Sequence, residues 1–367
     1  MSQSFHIVVL GGDGIGPEVC DQSVRLLQII EPHLADVQFN LDPHDVGAGQ
    51  YQRSGEALPS SAFDACRASD AVLLGAMGLP SVRYPNGKEI APQLDLREQL
   101  HLYGGIRPCR LFHEADTPLK SHQAGDIDLV LVRESTEGLF YGRSEVADLE
   151  ADAAENILRI TRHASEQVCR LAFETARKRD RAKKVSLIDK ANVLSSMVYF
   201  RHVFDTVAAE YPDITAEHVY VDATALFLVR RPQDFDVMVT ENMFGDILSD
   251  LTAGIVGGMG MAPSADIGED AAVFQPSHGS APDIAGKSIA NPIAMHLSTA
   301  MMLEWLQHPE CLRASEALNA AVSNVLSDPV NRTADMGGSL STVEITDRIA
   351  EVLPRYLQGE LATASKA

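Results

Sequence analysis

The chain has 367 residues, of which 45% are hydrophobic and 22% charged, proportions that are typical of a globular protein. This length suffices for two domains or for one large α/β unit. The formal net charge of −21 argues against nucleic acid and anionic membranes as partners, because both require a basic surface. An anionic substrate would need a local cluster of arginines.

Cysteine usage and hydropathy indicate a cytoplasmic protein. The five cysteines are scattered and lack metal-binding spacing, which fits reduced thiols. No apolar run is long enough to span a bilayer, and no basic region precedes an apolar one at the N-terminus. We expect the small polar tail after Leu357 to be frayed.

The first predicted elements are a strand at residues 5–10, a glycine-rich turn at 11–16 and a helix from Pro17 to about Ile30. The glycine spacing differs from the dinucleotide fingerprint. A plain strand-to-helix turn and a ligand loop remain equally good interpretations.

A second buried strand is predicted at residues 70–76, followed by a polar loop at 79–95 that is a suitable place for specificity residues. Residues 96–102 are predicted to be helical, with Tyr103-Gly104-Gly105 ending the helix. The third strand, 127–132, leads to Arg133 and Glu134. Ligands gather at that edge of an open α/β sheet, although a structural ion pair would also explain the two charges.

Residues 156–177 have the pattern of a long amphipathic helix, and a strand is predicted at 185–188. Asp189 and Lys190 follow that strand. They fit either a surface ion pair or a site where Lys190 transfers a proton, since a buried lysine lowers its pKa readily.

The segment 234–250 carries the strongest chemical signal. A β-branched strand at 235–240 precedes Asn242, a predicted helix cap, and a helix on which Asp246 and Asp250 are four residues apart. Oxygen ligands of this kind suit Mg²⁺ or Mn²⁺. Asp222, at the end of a strand predicted at 219–222, is a candidate third ligand. A solvated acidic helix face is the alternative.

The last third of the chain alternates a Gly/Met-rich loop, a strand at 272–275, a small-residue loop at 277–283, and packing helices at 295–306 and 312–325. Strands and helices alternate along the whole chain without a linker. This alternation favours an α/β architecture.

Four segments, GGDGIGPE, DKANVL, ENMFGDILSD and HGSAPDIAGKSIANP, resemble the β-decarboxylating dehydrogenases, which act on 3-isopropylmalate, isocitrate, homoisocitrate, tartrate or D-malate. The resemblance covers residues 5–355. It implies an isopropylmalate dehydrogenase-like two-domain α/β/α fold with a mixed sheet, distinct from a Rossmann domain. Residues 1–105 and 257–367 would form the cofactor-side domain, and 106–256 the substrate, metal and dimerisation domain of a homodimer with shared active sites.

The same resemblance implies roles for individual residues. Lys190 and Asp222, supplied by the neighbouring subunit, would be catalytic. The substrate carboxylates would bind to Arg97, Arg107 and Arg133, and Mg²⁺ or Mn²⁺ to Asp222, Asp246 and Asp250. NAD would bind to Glu89, His278, Gly279, Ser280, Ala281, Asp283 and Asn291. A carboxylate at Asp283 would repel a 2′-phosphate, which favours NAD over NADP.

In the implied reaction Lys190, helped by Asp222, takes the proton of the C2 hydroxyl while a hydride passes to NAD⁺, and the carboxylate on C3 leaves as CO₂. A general acid must then protonate C3. Members of the family usually place a tyrosine where this chain has Phe140, which cannot donate a proton. Tyr141 is the candidate replacement.

The substituent on C3 depends on the specificity loop. Two leucines of isopropylmalate enzymes correspond here to Gln93 and Leu94, followed by Asp95, which would oppose a third carboxylate if it pointed inward. We rank 3-isopropylmalate, and with it leucine biosynthesis, above D-malate or tartrate. A non-catalytic regulatory homologue is the remaining alternative, which the intact acidic and basic residues argue against.

Overall fold

The computed structural model describes residues 3–360, and a single ten-stranded mixed sheet runs through them. Its strands are β1 (Gln3–Gly12), β2 (Val37–Pro43), β3 (Ala71–Ala76), β4 (Gly104–Arg110), β5 (Asp128–Glu134), β6 (Lys184–Asp189), β7 (Thr215–Tyr220), β8 (Val237–Thr240), β9 (Pro263–Ile267) and β10 (Ala272–Pro276). Their order across the sheet is β2-β1-β3-β10-β9-β4-β5-β8-β6-β7.

Helices cover both faces of this sheet. They are α1 (Gly16–Ile30), α2 (Ala48–Ser54), α3 (Ser60–Ala68), α4 (Pro92–Gln99), α5 (Arg162–Arg179), α6 (Ser195–Ala208), α7 (Val221–Arg230), α8 (Asn242–Gly254), α9 (Ile293–Trp305), α10 (Pro309–Leu326) and α11 (Thr342–Leu357). Among the described residues, no helix is both long and apolar enough to cross a membrane.

The sheet consists of two halves with opposite polarity. Strands β2, β1, β3 and β10 are mutually parallel, as are β5, β8, β6 and β7. Between them, β9 and β4 pair antiparallel to each other and to their outer neighbours. The mixed α/β fold predicted from the sequence is confirmed.

Each half is a three-layer sandwich. On β5, Val130 and Val132 pack with α5 and α6 on one face, whereas Leu129 and Leu131 pack with α7 and α8 on the other. Alternating side chains of a doubly covered strand are apolar on both faces, which explains the continuous apolar runs in the sequence. The separate apolar clusters are consistent with the division at residues 105 and 257, which stays a prediction.

Several local predictions were wrong. The helix expected at 96–102 begins earlier, at Pro92, and Gly104 opens β4 instead of ending that helix. The helix expected from residue 156 begins at Arg162, after Thr161 caps it. The elements that were not predicted are strands β2, β4 and β9 and helices α2, α3, α6, α7 and α11. Of the tail expected to be frayed, residues 361–367 lie outside the described part of the chain.

Candidate active site

A pocket of about 280 Å³ lies where the two halves of the sheet meet, and we call it the arginine pocket. Its walls come from the ends of β3 and β10 in one half, from β5 and α8 in the other half, from β4 between them, and from α4. The lining residues are Ala76, Met77, Gln93, Leu94, Arg97, Arg107, Arg133, Phe140, Asp246, Ser249, Asp250, Gln275, Pro276, Ser277, His278 and Gly279.

The three arginines predicted to bind substrate are brought together here. Arg97, Arg107 and Arg133 are 9%, 5% and 3% exposed. Burial lowers the pKa of Arg107 to about 10, and the nearby guanidinium groups of Arg97 and Arg133 add to this, while Asp266 opposes it. Nε of Arg107 is buried without a hydrogen-bond partner. A carboxylate ligand would supply the missing acceptor.

Arg133 is oriented by α8. Its Nε and Nη2 donate to Oδ1 of Asn242 at 2.9 and 2.7 Å, and its Nη1 contacts Asp246. Arg133 and Glu134 do not form the ion pair considered from the sequence. Glu134 instead accepts hydrogen bonds from the backbone of Thr136 and Glu137, and burial raises its pKa to about 7.

The local prediction for Asn242 was wrong. Glu241 caps α8, because its carboxylate accepts hydrogen bonds from the backbone N–H groups of Met243 and Phe244 at 3.1 and 2.6 Å. Asn242 is the first residue of the helix, and its side chain holds Arg133. Because the Glu241 carboxylate caps the helix, the side-chain amide of Asn242 is free to bind Arg133.

Asp246 and Asp250 both line the arginine pocket from α8. Partial burial raises the pKa of Asp250, and the like charge of Asp246 raises it further. Two carboxylates that repel each other at the mouth of a pocket fit a hard divalent cation, which would relieve the repulsion. The donor set therefore suits Mg²⁺ or Mn²⁺.

Lys190 and Asp222 lie outside this pocket but contact each other, with Nζ of Lys190 2.7 Å from Oδ1 of Asp222. Lys190 lowers the pKa of Asp222 through this hydrogen bond. Asp189 binds Arg201 instead of Lys190, which excludes the Asp189–Lys190 pair. The strand predicted at 219–222 lies earlier in the chain, since β7 spans Thr215–Tyr220 and Asp222 lies in the first turn of α7.

Within residues 3–360 of one chain, no group of three His, Cys, Asp or Glu side chains is arranged to hold a metal. The predicted trio is thus divided: Asp246 and Asp250 line the arginine pocket, and Asp222 is paired with Lys190 elsewhere.

The aromatic pair at residues 140 and 141 is split between two pockets. Phe140 lines the arginine pocket, with its ring centroid 5.3 Å from the guanidinium carbon of Arg133. Tyr141 is 48% exposed, lies under the guanidinium of Arg159 and lines a neighbouring pocket that shares Leu94 and Phe140. The general-acid role of Tyr141 stays a prediction.

The predicted NAD segment packs against the glycine turn. Ile15 donates its N–H to the carbonyl of Ser280 at 2.8 Å, and Oγ of Ser280 donates to the carbonyl of Gly78. His278 and Gly279 line the arginine pocket, and Nε2 of His278 is buried without a partner. An unsatisfied ring nitrogen beside the pocket suits a bound polar group. The glycine turn thus contacts the residue that follows the pocket-lining His278 and Gly279.

Gly14 gives a stability prediction. It has φ +61°, and a Cβ there would lie 1.9 Å from the carbonyl oxygen of Ser280. We expect Gly14→Ala to lower the free energy of unfolding by about 3 kcal/mol, through left-handed strain and the backbone clash. Urea denaturation measures the loss.

Gly55→Ala is the matched control, because Gly55 has φ +83° but no atom within 4 Å of the position that a Cβ would take. It should lose only the strain, about 1 kcal/mol. Equal losses in the two variants would contradict a close approach at Ser280.

The other residues proposed for NAD differ in their surroundings. Ala281 adjoins Ser280 with φ +37°, and Asp283 is exposed. Glu89 is exposed and pairs with Arg83 at 3.5 Å. The amide of Asn291 is already engaged, accepting from Ile293 N–H at 3.0 Å and donating to Asp335 at 3.2 Å. Roles for these residues in binding NAD stay predictions.

The specificity residues are only partly as expected. Gln93 and Leu94 line the pocket, but Asp95 accepts a hydrogen bond from Arg143 at 2.9 Å and is absent from the lining. The argument that Asp95 would repel a third carboxylate therefore does not apply.

Sequence reasoning missed Asp266 and Gln275. Asp266 lies on β9 between Ala265 and Ile267, is fully buried, and contacts Arg97 and Arg107. Gln275 donates to it from β10 at 2.6 Å. The sequence did contain a signal for Asp266, because an acidic residue within a short apolar strand is expected to be buried and paired with a cation.

Comparison with known proteins places this chain in a family. A family model described as isocitrate/isopropylmalate dehydrogenase matches residues 6–349. The chain belongs to the isocitrate/isopropylmalate dehydrogenase family. This confirms the resemblance seen in the four sequence motifs.

Relatives within the family carry two different substrate names. The 3-isopropylmalate dehydrogenase of Aquifex aeolicus is 40% identical to this chain, and the match covers 96% of this chain and 98% of that protein. The 3-isopropylmalate dehydrogenase of Moorella thermoacetica is 42% identical, and the match covers 90% of this chain and 93% of that protein. The crystal structure of isocitrate dehydrogenase from Methylococcus capsulatus is 38% identical, with a TM-score of 0.85, and 95% of this chain and 99% of that chain are covered.

Proposed function

We propose that this protein is an NAD-dependent, metal-requiring dehydrogenase that converts 3-isopropylmalate to 2-oxo-4-methylpentanoate and CO₂. The observation that carries the proposal is the arginine pocket, in which three buried arginines face two helical carboxylates. We infer the substrate from the 3-isopropylmalate dehydrogenases described above, to which this chain is similar. On this assignment the enzyme serves leucine biosynthesis in the cytoplasm.

The two carboxylates of the substrate would be held by Arg97, Arg107 and Arg133. Each guanidinium can give paired hydrogen bonds to a carboxylate. Hydrogen bonds to Asn242 already fix one edge of the Arg133 guanidinium, and a hydrogen bond to Asp266 fixes one edge of the Arg97 guanidinium. The arginines are thereby oriented before substrate arrives, which reduces the entropy lost on binding.

An apolar wall faces the arginines and would receive the isopropyl group. It consists of Met77, Leu94 and Phe140, which line the same pocket. A branched alkyl group would bury its surface there, worth about 0.8 kcal/mol per methylene. Phe140 extends this wall because it has no hydroxyl group.

Two cofactors complete the site. A divalent cation at Asp246 and Asp250 would polarise the oxygens of the substrate, and NAD beside residues 278–281 would take up the hydride. Lys190 would accept the proton of the C2 hydroxyl, with Asp222 held ionised at its side. Tyr141 would return a proton to C3 after CO₂ leaves.

We propose a homodimer that brings Lys190 and Asp222 of one chain to the arginine pocket of the other. On α7, Leu226 and Val229 follow Asp222 by four and seven residues, hence on the same helix face, and are 54% and 48% exposed. On α8, Ile247 beside Asp246 is 60% exposed. Burying these apolar side chains at one interface would join both parts of the site.

A substrate panel tests the function. Purified protein is assayed for NAD reduction with Mg²⁺ or Mn²⁺ on 3-isopropylmalate, D-malate, tartrate, isocitrate and homoisocitrate. We expect the highest kcat/KM with 3-isopropylmalate. If no substrate is turned over, the protein is not a dehydrogenase of this class, and the non-catalytic alternative stands.

Tartrate is the second candidate because of Gln93. Its Oε1 atom is buried in the pocket wall without a donor, and the C3 hydroxyl of tartrate would supply one. If tartrate is the substrate, we expect Gln93→Leu to lower kcat/KM for tartrate about 30-fold. If 3-isopropylmalate is the substrate, the same change leaves its kcat/KM equal or higher.

Gln22→Leu is the matched control for that comparison. Gln22 on α1 also has a buried Oε1 without a donor but does not line the arginine pocket. It should leave the ratio of kcat/KM for the two substrates unchanged. A similar shift in both variants would mean that Gln93 does not discriminate between them.

A further inference from the structure

Asp266 is a fully buried carboxylate at the centre of the sheet, directly behind the arginine pocket. Its Oδ2 accepts hydrogen bonds from Nε of Arg97 at 3.0 Å and from Nε2 of Gln275 at 2.6 Å. Its Oδ1 lies 3.5 Å from Nη2 of Arg107. Arg97 and Arg107 hold the pKa of Asp266 below its usual value although burial alone would raise it. The group is therefore a fixed negative charge shared by two substrate arginines.

We propose that Asp266 positions Arg97 and Arg107 and sets the charge of the pocket, so that the site accepts a dicarboxylate and discriminates against a tricarboxylate. The inference rests on the proposed function and adds a determinant of its substrate class. Gln275 is the neighbouring donor that orients Asp266.

The charge balance supports this assignment. Three guanidinium groups are matched by three carboxylates, Asp246 and Asp250 at the pocket and Asp266 behind it. The Lys190–Asp222 ion pair of the other chain adds no net charge. A bound divalent cation therefore leaves two positive charges in excess, which matches a substrate with two carboxylates. Without the charge of Asp266 the excess is three, which matches a substrate with three. Because the three arginines and Asp266 are buried, water screens their charges weakly.

The test compares the parent with Asp266→Asn and with the double variant Asp266→Asn/Gln275→Glu. The double variant exchanges the amide and the carboxylate of two side chains that are 2.6 Å apart, so it keeps both the hydrogen bond and the charge. Kinetics are measured with Mg²⁺, NAD, 3-isopropylmalate and isocitrate, and folding is checked by thermal unfolding.

For Asp266→Asn we expect kcat/KM for isocitrate relative to 3-isopropylmalate to rise on the order of tenfold. The KM for 3-isopropylmalate should rise more than kcat falls. The double variant should restore the parent's substrate ratio and KM. A residue with only a packing role would leave both unchanged in folded protein.

Two results would overturn the proposal. One is a folded Asp266→Asn variant with the parent's substrate ratio and the parent's KM for 3-isopropylmalate. The other is a double variant that does not recover the parent's ratio, whether it fails to fold or keeps the preference of the single variant. If Asp266→Asn does not fold, the double variant alone decides.

Failure of the proposed function is recognised separately, because the parent would then turn over no substrate of the panel. In that case calorimetry with Mg²⁺ measures the binding of succinate and tricarballylate, a dicarboxylate and a tricarboxylate. The parent should favour succinate, and Asp266→Asn should shift the preference toward tricarballylate on the order of tenfold. No difference between parent and variant overturns the role of Asp266.

Discussion

Asp246→Asn is expected to lower kcat/KM by at least about a thousandfold, because an amide is a poor ligand for Mg²⁺ and the pocket loses a charge that faces the cation. Asp246 is one of two carboxylates with which α8 lines the arginine pocket, and it also contacts Arg133. The measurement is NADH formation under titration with Mn²⁺, together with the rise in Tm that Mn²⁺ gives the parent and the variant.

Asp64→Asn on α3 is a matched control. The Asp64 side chain is 62% exposed and pairs with Arg67, whereas that of Asp246 is 52% exposed and pairs with Arg133. The two substitutions therefore remove similar charges, one inside and one outside the pocket. If Asp246→Asn retained the parent's rate and its response to Mn²⁺, the metal assignment would be refuted.

Mixing two inactive variants tests whether the active site is shared. We expect Lys190→Ala and Asp246→Asn to be nearly inactive alone. When they are co-refolded in equal amounts, half of the dimers contain one chain of each kind. If Lys190 serves the pocket of the other chain, each such dimer has one intact site and one site with both lesions, so activity returns to about one quarter of the parent.

The structure of one chain motivates this expectation. Lys190 and Asp222 contact each other but do not line the pocket with Asp246. If both groups served a pocket in their own chain, every site in the mixture would carry one lesion, and the mixture would remain inactive. Dimerisation is verified by analytical ultracentrifugation, and the positive control is parent protein refolded in the same way.

Leu226→Asp separates assembly from chemistry. Leu226 lies on α7, one turn beyond Asp222, and is exposed in the single chain. A charge at a buried dimer interface would be desolvated, so this variant should be monomeric and inactive while each chain keeps its fold. An active monomer would exclude the shared site.

The sequence alone determined the main architecture. Apolar runs in β1, β3, β5, β6 and β8 are largely buried on both faces, and this burial makes them recognisable without alternation. The sequence also predicted that Asp246 and Asp250 share one face of α8, because helical periodicity relates residues four apart directly. The predicted family is confirmed by the comparisons.

Element boundaries were less predictable because tertiary contacts decide them. Residues Gly104 and Gly105 have the composition of a helix end, yet they lie in β4, paired with β5 and β9. Glu241 displaced Asn242 as the cap of α8 because the amide of Asn242 binds Arg133 on a strand 109 residues away. Propensity is a local quantity, and such distant partners override it.

What the sequence by itself determined was the identity of the chemical groups and the local frame of each, such as three arginines and a helix with paired carboxylates. Only the tertiary structure decided which groups meet: it placed Asp266 against Arg97 and Arg107, turned Asp95 toward Arg143, and separated Tyr141 from the arginine pocket. The physical reason is that these contacts join residues far apart in sequence, and their geometry depends on the packing of the two halves of the sheet.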